Sequence, residues 1–112
     1  MTYLSWETFQ QVELRVGTII EATAFPEARN PSYILQIDFG PDIGVRKSSA
    51  QITDLYTPDK LLGKQVIAVT NFPPKQIGPI MSECLVTGFH RSNHSVVLAT
   101  TDMSVPDGTR LA

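Results

Sequence analysis

Apolar and polar positions alternate along most of this chain, which is the period of half-buried strands rather than of helices. Val12–Ala24 (VELRVGTIIEATA) shows it first: Val12, Leu14 and Val16 fall on one side, Glu13 and Arg15 on the other, and β-branched residues follow. Gly17 interrupts the run, and a bulge or sharp bend suited to a small barrel is expected there. Tyr33–Gly40 (YILQIDFG) and Val45–Ser49 (VRKSS) follow as strands joined by the turn Pro41–Gly44. Gln65–Thr70 (QVIAVT), Cys84–Phe89 (CLVTGF) and Val96–Thr100 (VVLAT) are the later ones. Helix is confined to short pieces. Ser5–Gln11 (SWETFQQ) fits an amphipathic helix capped by Ser5, with Trp6 and Phe9 on one face. Ser49–Gly63 reads as a helix-like connection, with Pro58 suited to a first turn and Gly63 to its end. Phe25–Ser32 is a turn or a single helical turn, and the VPDGTRLA tail has turn chemistry.

Five or more short strands with one helical insertion suit an all-β architecture, an OB-fold five-stranded barrel with terminal extensions, over residues 1–112 as one domain. Such barrels bind single strands through a charged groove and its adjoining loops, although fold alone does not give function. The connection Asn71–Glu83 (NFPPKQIGPIMSE) carries more information than any strand. A hairpin needs only about two to five turn residues, and this one holds three prolines, a glycine, Lys75 and several polar side chains. Proline stiffens it, so a rigid surface feature is expected, of the kind on which binding groups sit.

Composition narrows the function classes. Of 112 residues, 42% are hydrophobic and 18% charged, an ordinary globular balance. No apolar run approaches the roughly 20 residues of a membrane span, and MTYLSWETF lacks the basic-then-apolar start of a signal peptide, so a cytoplasmic protein without membrane insertion is expected. The single cysteine, Cys84, lies in an alternating apolar run and reads as a small buried thiol rather than a nucleophile. A net charge of −2 argues against a broad nucleic-acid coat, so any RNA site must be a local basic patch. His90 and His94 bracket a turn (HRSNH), where a spacing of four does not converge two rings on a metal, and no metal or other cofactor is expected. Asp38, Asp42, Asp54 and Asp59 read as turn and cap residues. No nucleophile motif or phosphate loop is present, which leaves no catalytic residue to name and points away from an enzyme.

Phe9–Ile19 (FQQVELRVGTI), Ile37–Thr53 (IDFGPDIGVRKSSAQIT), Tyr56–Glu83 and the ending VPDGTRL together resemble the tRNA-binding-domain family. Within it they look like the stand-alone, CsaA-like relatives of the domain appended to methionyl-tRNA synthetases. The resemblance implies an OB-fold barrel, a homodimer formed through terminal extensions, tRNA binding, and an export-related chaperone role toward unfolded preproteins. Carried onto this sequence, the tRNA-facing residues are Asn71, Lys75 and Ser82 in the loop, with Arg46, Lys47 and Ser49 on the facing strand. Lysine and arginine meet phosphate, an amide reads a base edge or ribose hydroxyl, and a hydroxyl donates to phosphate. The chain departs from the pattern in FPEARNPSYILQ, where Asn30 and Ile34 stand in place of basic residues, and at Ile80, where an aromatic is common.

Several of these residues also have plainer readings. Arg15 suits an ion pair with Glu13 or Glu21, and Lys47 an edge-strand charge that blocks aggregation. Phe72, Ile77 and Met81 are unusually apolar for a surface loop and would suit weak contact with unfolded polypeptide. Tyr3, Leu4, Trp6 and Phe9 form a cluster too large for a seven-residue helix to hide, so burial in a homodimer interface is expected, with part of the tail. The leading expectation is a tRNA-binding protein with chaperone activity; the alternative is a tRNA-binding module without it.

Overall fold

The strand expected from Val12 onward forms β1 (Leu14–Ala24) and serves two neighbours in the computed structural model, which describes residues 1–111. Its first half pairs antiparallel with β4 (Gln65–Val69), from Leu14 opposite Val69 to Thr18 opposite Gln65. Its second half pairs with β2 (Tyr33–Asp38), from Thr18 opposite Asp38 to Ala24 opposite Tyr33. Adding β3 (Val45–Ala50) beside β2 and β7 (Leu85–Val86) beside β4 gives the order β3–β2–β1–β4–β7. This antiparallel sheet curls into a nearly closed five-stranded barrel of the OB type, as the strand pattern led one to expect. Two hairpins stand outside it: β5 (Lys75–Ile77) with β6 (Ile80–Ser82), and β8 (Gly88–His90) with β9 (Val96–Leu98).

Ile19, Leu35, Ile37, Phe39, Val66 and Ala68 fill the barrel. Gly17 is buried among them, and it is not the bulge that its sequence context suggests. A Cβ there would come within 2.5 Å of Ile37 Cγ2 and 2.7 Å of Phe39 Cδ1, so the glycine exists for close packing. The irregularity comes three residues later, where Ile20 is the extra residue between Ile19 opposite Ile37 and Glu21 opposite Gln36. That one-residue insertion moves the inward face from Ile19 to Ala22 and lets β1 turn from one side of the barrel to the other.

The expected helical connection after Ser49 shrinks to α2 (Pro58–Leu61), because β3 runs on to Ala50 and Ile52 enters the core. Leu61 is fully buried and seats α2 against β1, where Gly63 N donates to Ile19 O at 2.8 Å and Ile19 N to Lys64 O at 3.0 Å. The Cys84–Phe89 strand is divided at Thr87. Its amide donates to Ile67 of β4 at 3.0 Å, while its carbonyl accepts from Ala99 beyond β9 at 3.1 Å, so one segment belongs to two sheets in turn.

At the N-terminus, α1 (Trp6–Gln10) is capped as expected, Ser5 Oγ accepting from Thr8 N at 3.1 Å. The chain between α1 and β1 is a turn rather than strand. Both ends of the Asn71 amide fasten it: Nδ2 donates to Gln11 O at 2.7 Å and Oδ1 accepts from Glu13 N at 3.0 Å. The tail lies along the edge of β1 that β2 leaves open, with Gly108 N donating to Val16 O at 2.7 Å and Leu111 N to Leu14 O at 2.8 Å. Arg15 makes the ion pair expected of it, Nη2 to Glu13 Oε1 at 2.8 Å, and donates from Nη1 to Gly108 O at 2.8 Å. That guanidinium holds the Glu13 carboxyl below its usual range.

Candidate nucleic-acid interface

The barrel is sealed between β3 and the segment Ser82–Cys84, largely by side chains. Glu83 N donates to Lys47 O at 2.8 Å, and Lys47 N donates back to Glu83 Oε1 at 3.0 Å. Ser49 N donates to Ser82 Oγ at 3.1 Å, and the buried Ser48 hydroxyl donates to Cys84 O at 3.2 Å. The loop Asn71–Glu83 therefore closes the barrel as well as decorating it, and it is itself a hairpin. Its turn is Gly78–Pro79, with Gly78 at φ +52°, a position open to glycine at little cost. The hairpin tip lies against the Phe25 ring and the Glu27 carbonyl in the β1–β2 loop.

Where these two loops meet, a groove of about 630 Å³ opens across the seam. Its lining comes from residues 28–32, from Ser49 near the end of β3 and Gln51 just after it, and from residues 72–85. Arg29 and Lys75 bring positive charge, Phe72 and Ile77 apolar surface, and Asn30, Gln51, Ser49 and Ser82 polar groups. Among the described residues no carboxylate lines it, although the chain carries a net charge of −2. Cys84 forms part of the wall, and burial pushes its thiol up to about 11, so it stays a neutral thiol at physiological pH.

Ser49, Lys75 and Ser82 of the expected tRNA-facing set share this groove with Phe72 and Ile77, read from sequence as polypeptide contacts. The remaining expected residues lie outside it. Arg46 falls on the same side of β3 as the buried Ser48 and Ala50 and donates to Thr70 O at 3.0 Å, whereas Lys47 shares the Ser49 side but stands two residues earlier along the strand and does not line the groove. Asn71 uses its amide to hold Gln11 and Glu13. Met81 pairs with Gln76, so it faces away from the side of the hairpin that carries Lys75, Ile77 and Ser82. Arg29, Asn30 and Gln51 also line the groove and were not among the residues expected to face tRNA. The rule that OB barrels bind between their first and last long loops would have found Arg29 and Asn30, which stand in the first of them.

Tyr3, Leu4 and Trp6 are strongly exposed, with 91%, 66% and 63% of their surface open, and Phe9 is half-buried against Trp6 at a ring separation of 5.6 Å. Trp6, Phe9, Val12 and the tail residues Arg110 and Leu111 line a second, shallower depression. Among the described residues no three metal-ligating side chains come together, and no helix is long and apolar enough to cross a membrane.

Residues 14–110 match the family described as "Putative tRNA binding domain". The chain belongs to the tRNA-binding-domain family. Two solved structures of its members superpose closely on this barrel. The chaperone CsaA of Bacillus anthracis is 43% identical, with a TM-score of 0.92 over 99% of this chain and all of the other. The CsaA chaperone of Picrophilus torridus is 44% identical, with a TM-score of 0.91 over 98% of this chain and all of the other. Methionine–tRNA ligase of Thermococcus kodakarensis is 32% identical over 111 residues, which is 99% of this chain and 14% of the ligase. The chain thus spans about one seventh of the length of the curated relatives it matches, and the match is to the family's binding domain. The resemblance read from FQQVELRVGTI and NFPPKQIGPIMSE, and the barrel it implied, are both borne out.

Proposed function

We propose that this protein binds tRNA through the groove between the β1–β2 loop and the β5–β6 hairpin, as a binding protein of the cytoplasm that catalyses no reaction. The observation that carries the reading is electrostatic. In a chain of net charge −2, this groove gathers two cations and, among the described residues, no carboxylate, so its local field favours a polyanion. Arg29 and Lys75 meet phosphates, Ser49 and Ser82 stand beside them as hydroxyl partners, and Lys47 projects on the outer face of β3 as a peripheral contact. With two to three phosphate contacts per site, log affinity should fall against log salt with a slope of roughly −1.5 to −2.7. Lys75→Ala should weaken binding to every tRNA and flatten that slope by about one unit, read by titrating labelled tRNA at several salt concentrations. Equal slopes for the two proteins, or no binding of tRNA at low salt, would overturn the assignment.

A second reading rests on a different observation. Both CsaA relatives are called chaperones, and Phe72 and Met81 expose apolar surface in the loop, where Ile77 is half-buried on the side of the hairpin opposite Met81. Weak capture of unfolded, export-bound polypeptides by such surface would rest on apolar burial and be insensitive to salt. An unfolded client that aggregates equally fast with and without the protein would exclude it.

A further inference from the structure

We infer that the groove receives one unpaired nucleotide of an RNA, its base laid on the Phe72 ring and its flanking phosphates met by Arg29 and Lys75. The inference rests on the tRNA reading and narrows it to a part of the RNA that is not in a helix.

Phe72 is 55% exposed at the edge of the groove, and its only neighbours in sequence toward the barrel are held fast. Asn71 is bonded to Gln11 and Glu13, and Pro73 and Pro74 stiffen the other side. Among the described residues the Phe72 ring is in no aromatic pair, and its exposure leaves ring surface for a ligand. A rigid, exposed aromatic beside cations is the platform on which single-stranded nucleic acids stack their bases. The bases of a duplex are already covered above and below by their neighbours, and only a splayed-out base offers a free face.

The polar groups fit the same occupant. Asn30 and Gln51 line the groove, and among the described residues neither side-chain amide is in a hydrogen bond, which leaves each with a donor and an acceptor for a base edge. Ser82 Oγ accepts from Ser49 N and still has its own proton to donate.

Main-chain recognition of a peptide is disfavoured here. The backbone along the seam is already engaged, Lys47 N by Glu83 Oε1, Ser49 N by Ser82 Oγ and Lys47 O by Glu83 N, so an extended polypeptide finds no open strand edge to join.

The test uses the full chain, a purified tRNA, a short single-stranded RNA carrying one fluorescent purine, and the same RNA annealed to its complement. The single strand should bind with a change in purine fluorescence and compete with tRNA, and the duplex should not compete. Phe72→Leu keeps apolar volume at an exposed position but removes the ring, and should weaken single-strand binding at least about fivefold with an unchanged salt slope. Phe72→Trp should preserve it. If wild type binds tRNA but the single strand fails to compete, or Phe72→Leu binds it as well as wild type, the nucleotide pocket is wrong and the tRNA reading stands. If wild type binds no tRNA at low salt, both fail. A permanently unfolded polypeptide that displaces the single strand when tRNA does not would give the groove to polypeptides and overturn the inference.

Discussion

Cys84 joins the interior of the barrel to the wall of the groove, and its chemistry follows from that position. Burial raises its thiol from an ordinary 9.0 to about 11, with the Glu83 carboxylate adding to the rise and Arg46 opposing it. A thiol whose pKa is raised on folding stabilises the native state fully below the unfolded value and loses that contribution as pH climbs through the folded one. Wild type should therefore lose up to about 2–3 kcal/mol relative to Cys84→Ala between pH 9.0 and about 11, measured by denaturant titration across that window. Parallel stability curves for the two proteins would mean that the thiolate is tolerated in place. Asn71 teaches a different lesson at the same scale. Its residue type suggested base recognition, and only the fold reveals that its amide reaches fifty-eight positions back along the chain to Glu13. A polar side chain in a loop announces its capacity for hydrogen bonds and not its partner.

At the scale of elements, alternation, apolar runs and turn residues together located the strands of the barrel: β1 by its alternation, β4 by its apolar run and β3 by the Pro41–Gly44 turn before it. What alternation could not supply was any departure from regular pairing. The bulge at Ile20 leaves no residue-type signature, since isoleucine suits strand and bulge alike, whereas Gly17 looked like a bulge and is a packing contact. Gly17→Ala tests this. It should destabilise by about 1–3 kcal/mol through overpacking against Ile37 and Phe39, seen as a lower urea midpoint with the slope unchanged. A neutral effect would show that these side chains can move aside. The loop Asn71–Glu83 was legible as rigid, though its rigidity comes from a hairpin and a seam as well as from proline. Long-range closure of that kind depends on Lys47 and Ser49, more than thirty residues away, and local sequence carries no trace of it.

For the whole molecule, the exposed aromatics and the groove across the seam are two surfaces built from different residues. We propose that the first joins two copies, with Tyr3, Leu4, Trp6 and Phe9 meeting beside the tail; a stable pairing should bury at least about 1,000 Å² in total. Trp6→Ala should shift the protein toward monomer in sedimentation at micromolar concentration, and a wild-type monomer there would remove the idea. Two copies would present two grooves to one RNA, which raises affinity by proximity without a new contact. The seam has a consequence of its own. Ser82 both receives the Ser49 amide that closes the barrel and lines the groove, so one hydroxyl belongs to the fold and to the proposed site at once. A substitution there would alter the container and its contents together, the barrel seam and the groove wall changing in one step.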